Sequence, residues 1–299
     1  MTLPLRCLLL TVACGVPTSA LMAQDANAPR AVECPSCLGW SVPQQPFAVY
    51  GNTYYVGTHG LSAILLTSDA GHVLIDGALP ESAPAIMSSI SALGFRVEDV
   101  RLILNSHAHY DHAGGIAELQ RASGARVAAS PWSAAVMTRG QSGQDDPQYG
   151  ILLPYPGVTS VTTISDGDTL RVGALAVTAN FTPGHTPGGT TWTWRSCEGT
   201  RCLDIVYADS QSPISSPSFL YSASPAALSN FQRSYAVLEN ERCDILITPH
   251  PGASEFFARI AARDSGGLPA LVDQNACRRF AAKARETLAQ RLATERNSK

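Results

Sequence analysis

Short apolar or alternating runs, each closed by glycine, asparagine or aspartate, open the structured part of the chain. Residues 47–50, 53–56, 62–67 and 72–76 predict β-strands, with hairpin turns at Gly51-Asn52 and Ala70-Gly71. Helical spacing takes over at residues 81–93 and stops at Gly94. An almost wholly apolar strand follows at 100–104, then a helix at 113–122, a strand at 126–129 and a helix at 130–137. Residues 139–160 are rich in Gly, Gln, Asp and Pro and predict a long loop, a kind of segment that often carries function. Strands resume at 175–179, 190–194, 204–208 and 245–248, with helices at 226–239 and 275–293. Strands, helix, strand and helix thus occur twice in the same order. That order predicts a two-sheet core with helices outside, built from two similar halves. Neither a sequence repeat nor a break in composition divides residues 24–299, and residues 24–45 read as an irregular N-terminal arm.

The first residues change the picture of where the protein works. Arg6 precedes the apolar run Leu8–Val16, and small residues follow at Thr18, Ser19, Ala20 and Ala23. Residues 1–23 are expected to be a secretory signal peptide cut after about Ala20 or Ala23, leaving 24–299 as one domain in the periplasm. A lipoprotein site at Cys14 would leave a very short apolar region. No segment is long enough to span a bilayer. Removing the signal leaves six of the eight cysteines. In an exported chain an even number points to disulfides, and Cys197–Cys202 and Cys243–Cys277 are the expected pairs. Cys34 and Cys37 are close in sequence, but their bonding stays open at this stage. Net charge is −3, so no basic surface for nucleic acid is implied.

The candidate chemistry lies in the histidines. His107-Ala-His109-Tyr-Asp111-His112 closely follows the strand at 100–104, and three imidazoles with a carboxylate in six residues are zinc-ligand types at metal-site density. His185, in Thr-Pro-Gly-His-Thr-Pro-Gly-Gly, and His250, in Thr-Pro-His-Pro-Gly, also follow strands in turns set by Pro and Gly. Five of the seven histidines therefore occupy strand-end loops. His72 reads as structural, and His59 is either a surface residue or the rim of a site.

On these motifs the chain resembles the metallo-β-lactamase fold, and more closely its subclass B3. Residues 50–58, 74–77, 94–100, 190–194, 207–210 and 243–250 carry the likeness, which covers essentially all of the mature chain. The resemblance implies an α+β, four-layer αβ/βα sandwich with two mixed β-sheets face to face. It implies two zinc ions, one held by His107, His109 and His185 and the other by Asp111, His112 and His250. It implies hydrolysis of the β-lactam amide of penicillins, cephalosporins and carbapenems by a hydroxide formed from water on the metals, and hence antibiotic resistance. Asp209-Ser210 stands where another subclass would place a cysteine ligand. Ser210 and Ser212 match positions that bind the substrate carboxylate, Gln148 resembles a substrate-contacting glutamine, and Trp40 would wall the cleft. Asp76 resembles a buried aspartate that supports the metal-binding loop. Close relatives pair an N-terminal cysteine with one at the position of His59.

Serine β-lactamase chemistry is excluded. Phe280 and Arg296 stand three positions before the two lysines, Lys283 and Lys299, so there is no Ser-x-x-Lys. No lysine is expected near the metals, which moves carboxylate recognition onto hydroxyls. The main rival is a glyoxalase-II-like thioesterase or a lactonase of the same fold, in which a carboxylate near Asp209 bridges both metals. A metal-storage protein fits less well with six ligands beside a long loop. The only partner implied is a small-molecule β-lactam, with the protein a monomer.

Overall fold

The computed structural model describes residues 34–297, so the expected signal segment 1–23 and Lys299 lie outside the described residues. After a short helix α1 (Cys37–Trp40), four strands form an antiparallel meander: β1 (Phe47–Tyr50), β2 (Thr53–Tyr55), β3 (Ile64–Leu66) and β4 (His72–Ile75). Helix α2 (Ala83–Ala92) then crosses back to β5 (Val100–Leu104), which pairs parallel with β4. Helices α3 (Tyr110–Ala113) and α4 (Ile116–Ser123) lead to β6 (Arg126–Ala129), and α5 (Pro131–Arg139) and the long loop lead to β7 (Val161–Thr163). The resulting seven-stranded sheet has its strands in sequence order. The second half repeats the plan. Strands β8 (Thr169–Val172), β9 (Leu175–Phe181), β10 (Thr190–Glu198) and β11 (Arg201–Tyr207) form a meander; α6 (Pro225–Asn240) crosses to the parallel β12 (Ile245–Ile247) and completes a five-stranded sheet. Helices α7 (Phe256–Gly266) and α8 (Ala276–Asn297) close the chain.

The four-layer α+β sandwich follows from the residue alternation. In β3, β4 and β5, Ile64, Leu66, Val73, Ile75, Leu102 and Leu104 enter the core between the sheets, with Val177, Trp192 and Ile205 from the other sheet. The intervening Leu65, Leu74 and Ile103 meet α2, α4 and α5 through Ile86, Ile90, Leu119 and Val136. Both faces are covered, which is why these strands read as unbroken apolar runs. Val206 and Leu246 face α6 and α8, meeting Phe231, Tyr235, Ala281 and Leu288. Each fully buried large side chain contributes about 1.5–3 kcal/mol over its exposed state.

Several expectations need correction. The helix expected at 113–122 is two helices, because the chain turns at Gly114-Gly115, where a Cβ on Gly114 would lie 2.2 Å from the Tyr110 carbonyl and 2.5 Å from Pro80. Strands β7 and β8 and helices α1 and α7 were not expected. Three disulfides are present: the anticipated Cys197–Cys202 and Cys243–Cys277, and Cys34–Cys37. The last pair ties the arm locally, and His59 instead stacks on Phe257 at 4.7 Å and meets Gln44 at 3.2 Å. His72 packs edge-on against Phe95 at the beginning of β4, the end of that strand opposite Asp76.

Candidate metal centre

Strands β4, β5, β9, β11 and β12 all deliver a polar side chain just beyond their C-terminal ends: Asp76, His107, His185, Asp209 and His250 respectively. Carboxyl ends of strands are where open α/β sheets place their sites, because the loops there diverge and leave backbone and side chains unpacked. Cross-links hold these loops together. Thr190 N donates to Ser106 O (2.8 Å) and Trp192 Nε1 to Asn105 O (3.1 Å), joining the two sheets at the histidine motif. Ser62 holds the His250 loop through Pro249 O and Thr248 O, both at 2.8 Å.

His107, His109 and His185 converge, and so do His107, Asp111 and His112; within each group the ligand atoms lie within 4.8 Å of one another. His107 therefore stands between the two groups. The third ligand expected at the second site, His250, reaches the cluster through Asp111 Oδ2, 3.3 Å from its Nε2, while His112 Nε2 is 3.2 Å from the same oxygen. All six side chains are buried except His250, whose side chain is one-third exposed.

The three rings of the first group are each fixed from behind. His107 Nδ1 donates to Asp209 Oδ1 at 2.7 Å, His109 Nε2 to Asp146 Oδ2 at 3.0 Å, and His185 Nδ1 to the Ser212 carbonyl at 2.8 Å. A hydrogen bond at one ring nitrogen sets the tautomer and leaves the other nitrogen's lone pair for a metal. Burial, reinforced by the neighbouring imidazoles, holds His107 well below the usual imidazole range, and burial with His109 pushes His185 down to about 3. Both rings are thus neutral, the form that binds metal. Burial alone would raise Asp111, but His112 and His250 overcome it and keep the carboxyl well below its ordinary value.

A metal fits these residues because they are left incomplete without one. His107 Nε2 and both ring nitrogens of His112 are buried with no hydrogen-bond partner. An orphaned buried polar atom costs roughly 1–3 kcal/mol, and a divalent ion among nitrogen and carboxylate donors removes that cost. The all-His and Asp donor set, with no thiolate, is one zinc accepts.

Asp76 follows β4 directly and is buried against the histidine motif. It takes φ +63°, accepts from Ser106 N (2.7 Å), Ser106 Oγ (2.6 Å), Asn105 Nδ2 (3.1 Å) and Tyr207 OH (2.8 Å), and lies 4.0 Å from His112 Nδ1. Two aspartates at the histidines were not anticipated in this role. Asp209 was weighed only as a bridging ligand, yet its Oδ1 lies on His107 Nδ1. Gly189 makes room for it, since a Cβ there would sit 2.3 Å from Asp209 Oδ2. Asp146 sits in the long loop two residues before Gln148, whose Nε2 is 3.3 Å from His185 Nε2. The loop's composition marked it as functional, but not which acid meets which ring.

The remaining expected residues surround a cavity of about 500 Å³ beside the centre, where Trp40, Ser210, Ser212 and His250 form one wall. Trp40 lies over His250 with ring centroids 5.2 Å apart. Lys283 lines the same cavity from α8.

Residues 56–250 match the model of the metallo-β-lactamase superfamily. Among solved structures, the chain is similar to the Rm3 metallo-β-lactamase, with 54% identity, a TM-score of 0.87, and coverage of 88% of this chain and 99% of that one. It is likewise similar to MEM-A1, a subclass B3 metallo-β-lactamase from a soil metagenome library (49% identity, TM-score 0.85, 87% and 100% coverage). MIM-1 from Novosphingobium pentaromativorans is 43% identical with a TM-score of 0.80, over 87% and 93% of the two chains. A hydroxyacylglutathione hydrolase of Gloeobacter violaceus is 29% identical over 129 residues, which is 43% of this chain and 42% of the relative. The alignments thus span under half the length of such curated relatives. The chain belongs to the metallo-β-lactamase superfamily, and within it to subclass B3.

Proposed function

We propose that the protein is a zinc-dependent hydrolase of the β-lactam amide bond, acting on penicillins, cephalosporins and carbapenems. The observation that carries this reading is the likeness to subclass B3 enzymes along nearly the whole of their chains, joined to a six-ligand centre that is incomplete without metal. His107, His109 and His185 would hold one zinc ion, and Asp111, His112 and His250 a second. Bound zinc supplies a Lewis acid for the lactam carbonyl and lowers the pKa of water toward neutrality.

The chain's own residues do the rest. Asp209, Asp146 and the Ser212 carbonyl keep the three imidazoles from rotating. Asp111 Oδ2, between His112 and His250, is placed to accept a hydrogen bond from the attacking water and orient it. Ser210 and Ser212 offer hydroxyls to the substrate carboxylate, Gln148 offers its amide, and Trp40 covers His250 and excludes water on that side. The thioesterase alternative needs Asp209 between the metals. With Oδ1 engaged by His107 Nδ1, Asp209 is better suited to holding the ring.

Export through residues 1–23, a monomeric state and a periplasmic site of action belong to the same proposal; no helix among the described residues is long and apolar enough to cross a membrane. The test is hydrolysis of a penicillin and a carbapenem by purified protein, lost on chelation and restored by zinc, with two zinc ions counted per chain. Turnover of thioesters or lactones with β-lactams left intact overturns the reading.

A further inference from the structure

The cavity beside the centre is lined by only one of the six metal-ligand candidates, His250, so it extends away from the metals rather than over them. Its far wall is one face of α8: Phe280, Lys283, Ala284 and Thr287 recur at i, i+3, i+4 and i+7. Trp40 and Ile214, the latter half-exposed, line the cavity as well. A volume of about 500 Å³ is that of a small-molecule site. Its lining is mostly apolar, with several hydroxyls and one cation.

Of the five arginines on α8, four are engaged. Arg278 donates to the Glu239 carbonyl, Arg279 pairs with Asp273, Arg285 with Glu239 and Arg291 with Glu295. Lys283 is exposed, faces the cavity, and has no ion pair or side-chain hydrogen bond among the described residues. A flexible, uncompensated ammonium over an apolar surface suits an amphipathic anion.

We propose that this cavity receives the substituent carried beside the carboxylate on the ring fused to the lactam, and that Lys283 makes it selective for acidic substituents over basic ones. This rests on the β-lactamase reading. With the ring carboxylate at Ser210 and Ser212, which line the same cavity as α8, a group on the neighbouring ring atom has the space along α8 before it. Phe280, Ile214 and Trp40 cover its apolar part, and Lys283 meets its charge.

The test uses two cephalosporins that share an acyl group and differ only in an acidic or a basic substituent beside the carboxylate, with a penicillin, which carries only two methyl groups there, as reference. The full-length zinc enzyme should favour the acidic substrate in kcat/KM by about fivefold, the size of one exposed charge pair, with the difference lying in KM and shrinking at high salt. Lys283→Gln should remove the preference and Lys283→Glu should invert it. Ala284→Trp, which fills the cavity, should raise KM for both cephalosporins about tenfold relative to the penicillin. An acidic-to-basic ratio unchanged in Lys283→Glu, or Ala284→Trp affecting all three substrates alike, overturns the proposal while leaving the β-lactamase reading intact. Failure of the wild type to hydrolyse any of the three overturns that reading and this inference with it.

Discussion

On one side of the cleft, His107 Nε2, the His112 ring and Asp209 Oδ2 are buried without hydrogen-bond partners. On the other, the segment 210–222 is fastened to α8 around the Arg291–Glu295 ion pair. Arg291 donates to Glu295 (2.7 Å), Ser215 Oγ (2.6 Å) and Pro213 O (3.3 Å) and lies over the Tyr221 ring. Glu295 in turn accepts from the backbone of Tyr221 (3.1 Å) and Ser222 (2.7 Å), and Cys243–Cys277 ties the base of the helix to the β12 end. The loop closed by that disulfide has a sequence separation of 34, enough for about 3–4 kcal/mol of stabilisation in the chain-entropy picture. The metal side is preorganised in geometry but lacks partners for its ligand atoms; the α8 side is held by ion pairs and a disulfide, with only Gln211 Oε1 and Ser222 Oγ of the 210–222 segment left buried and unpartnered. A cleft made this way keeps its substrate-facing wall while its catalytic wall loads and loses metal.

The largest effect should come from removing a ligand on the incomplete side. His185→Ala is expected to bring the zinc count from two to one and to lower kcat/KM by at least about a hundredfold, since losing even an outer partner of a ligand costs ten- to a hundredfold. His250→Ala removes the most exposed ligand and should empty the second site only. Equal loss of both ions in the two variants would break the assignment of His185 and His250 to different sites.

Chelation is the next test. Metal-free protein should lose several degrees of Tm, because unpaired buried groups replace metal bonds. Amide exchange should rise in residues 105–112 and around His185 while the α8 side keeps its protection. Uniform loosening of both walls would show that the metal, not the packing, builds the second wall.

How much of this contrast was visible beforehand depended on whether a feature is local. The histidine motif, the turns around His185 and His250, and the double-faced strands carry their signals within a few residues. Strands β7 and β8 do not: Val161–Thr163 is largely exposed and Thr169–Val172 buries only Leu170 and Val172, so no apolar run marks them. Helix α7 buries only Phe256 and Ile260, one turn apart, directly after a Pro-Gly turn, too thin a stripe to stand out. The partners of the rings were hidden for a different reason. Asp209, Asp146 and Lys283 acquire their places only when segments 30 to 100 or more residues apart meet, and no spacing rule encodes that meeting.

A smaller effect separates a ligand from its support. Asp209→Asn keeps an acceptor for His107 but removes the charge that stabilises the ring as a ligand, so zinc affinity should fall about ten- to a hundredfold with the fold retained. Asp146→Asn should do the same through His109 and also free Gln148, whose backbone N–H is held by Asp146 Oδ1 at 2.8 Å. Competition with a chromophoric chelator reads both. If zinc affinity stays at the wild-type value, these carboxylates shape loops rather than the metal site.

The smallest predicted effect probes the α8 wall by pH. Burial opposes ionisation of Glu295, but the N–H groups of Ser222 and Tyr221 and the Arg291 guanidinium outweigh it and bring its pKa down from 4.5 to about 2. A carboxylate more acidic in the folded state stabilises the fold fully above its unfolded pKa, and that contribution disappears as pH falls through the folded value. Wild type should therefore lose this increment between about pH 4.5 and 2. Glu295→Gln should be less stable by about 1.5–3 kcal/mol at neutral pH, the worth of hydrogen bonds to a charged group, and the gap should close across the same window. Zinc occupancy should be unchanged at neutral pH, because Glu295 touches only the α8 side. A variant that lost zinc as well as stability would mean the two walls are coupled through the segment 210–222, with Ser212, bonded to His185, as the link.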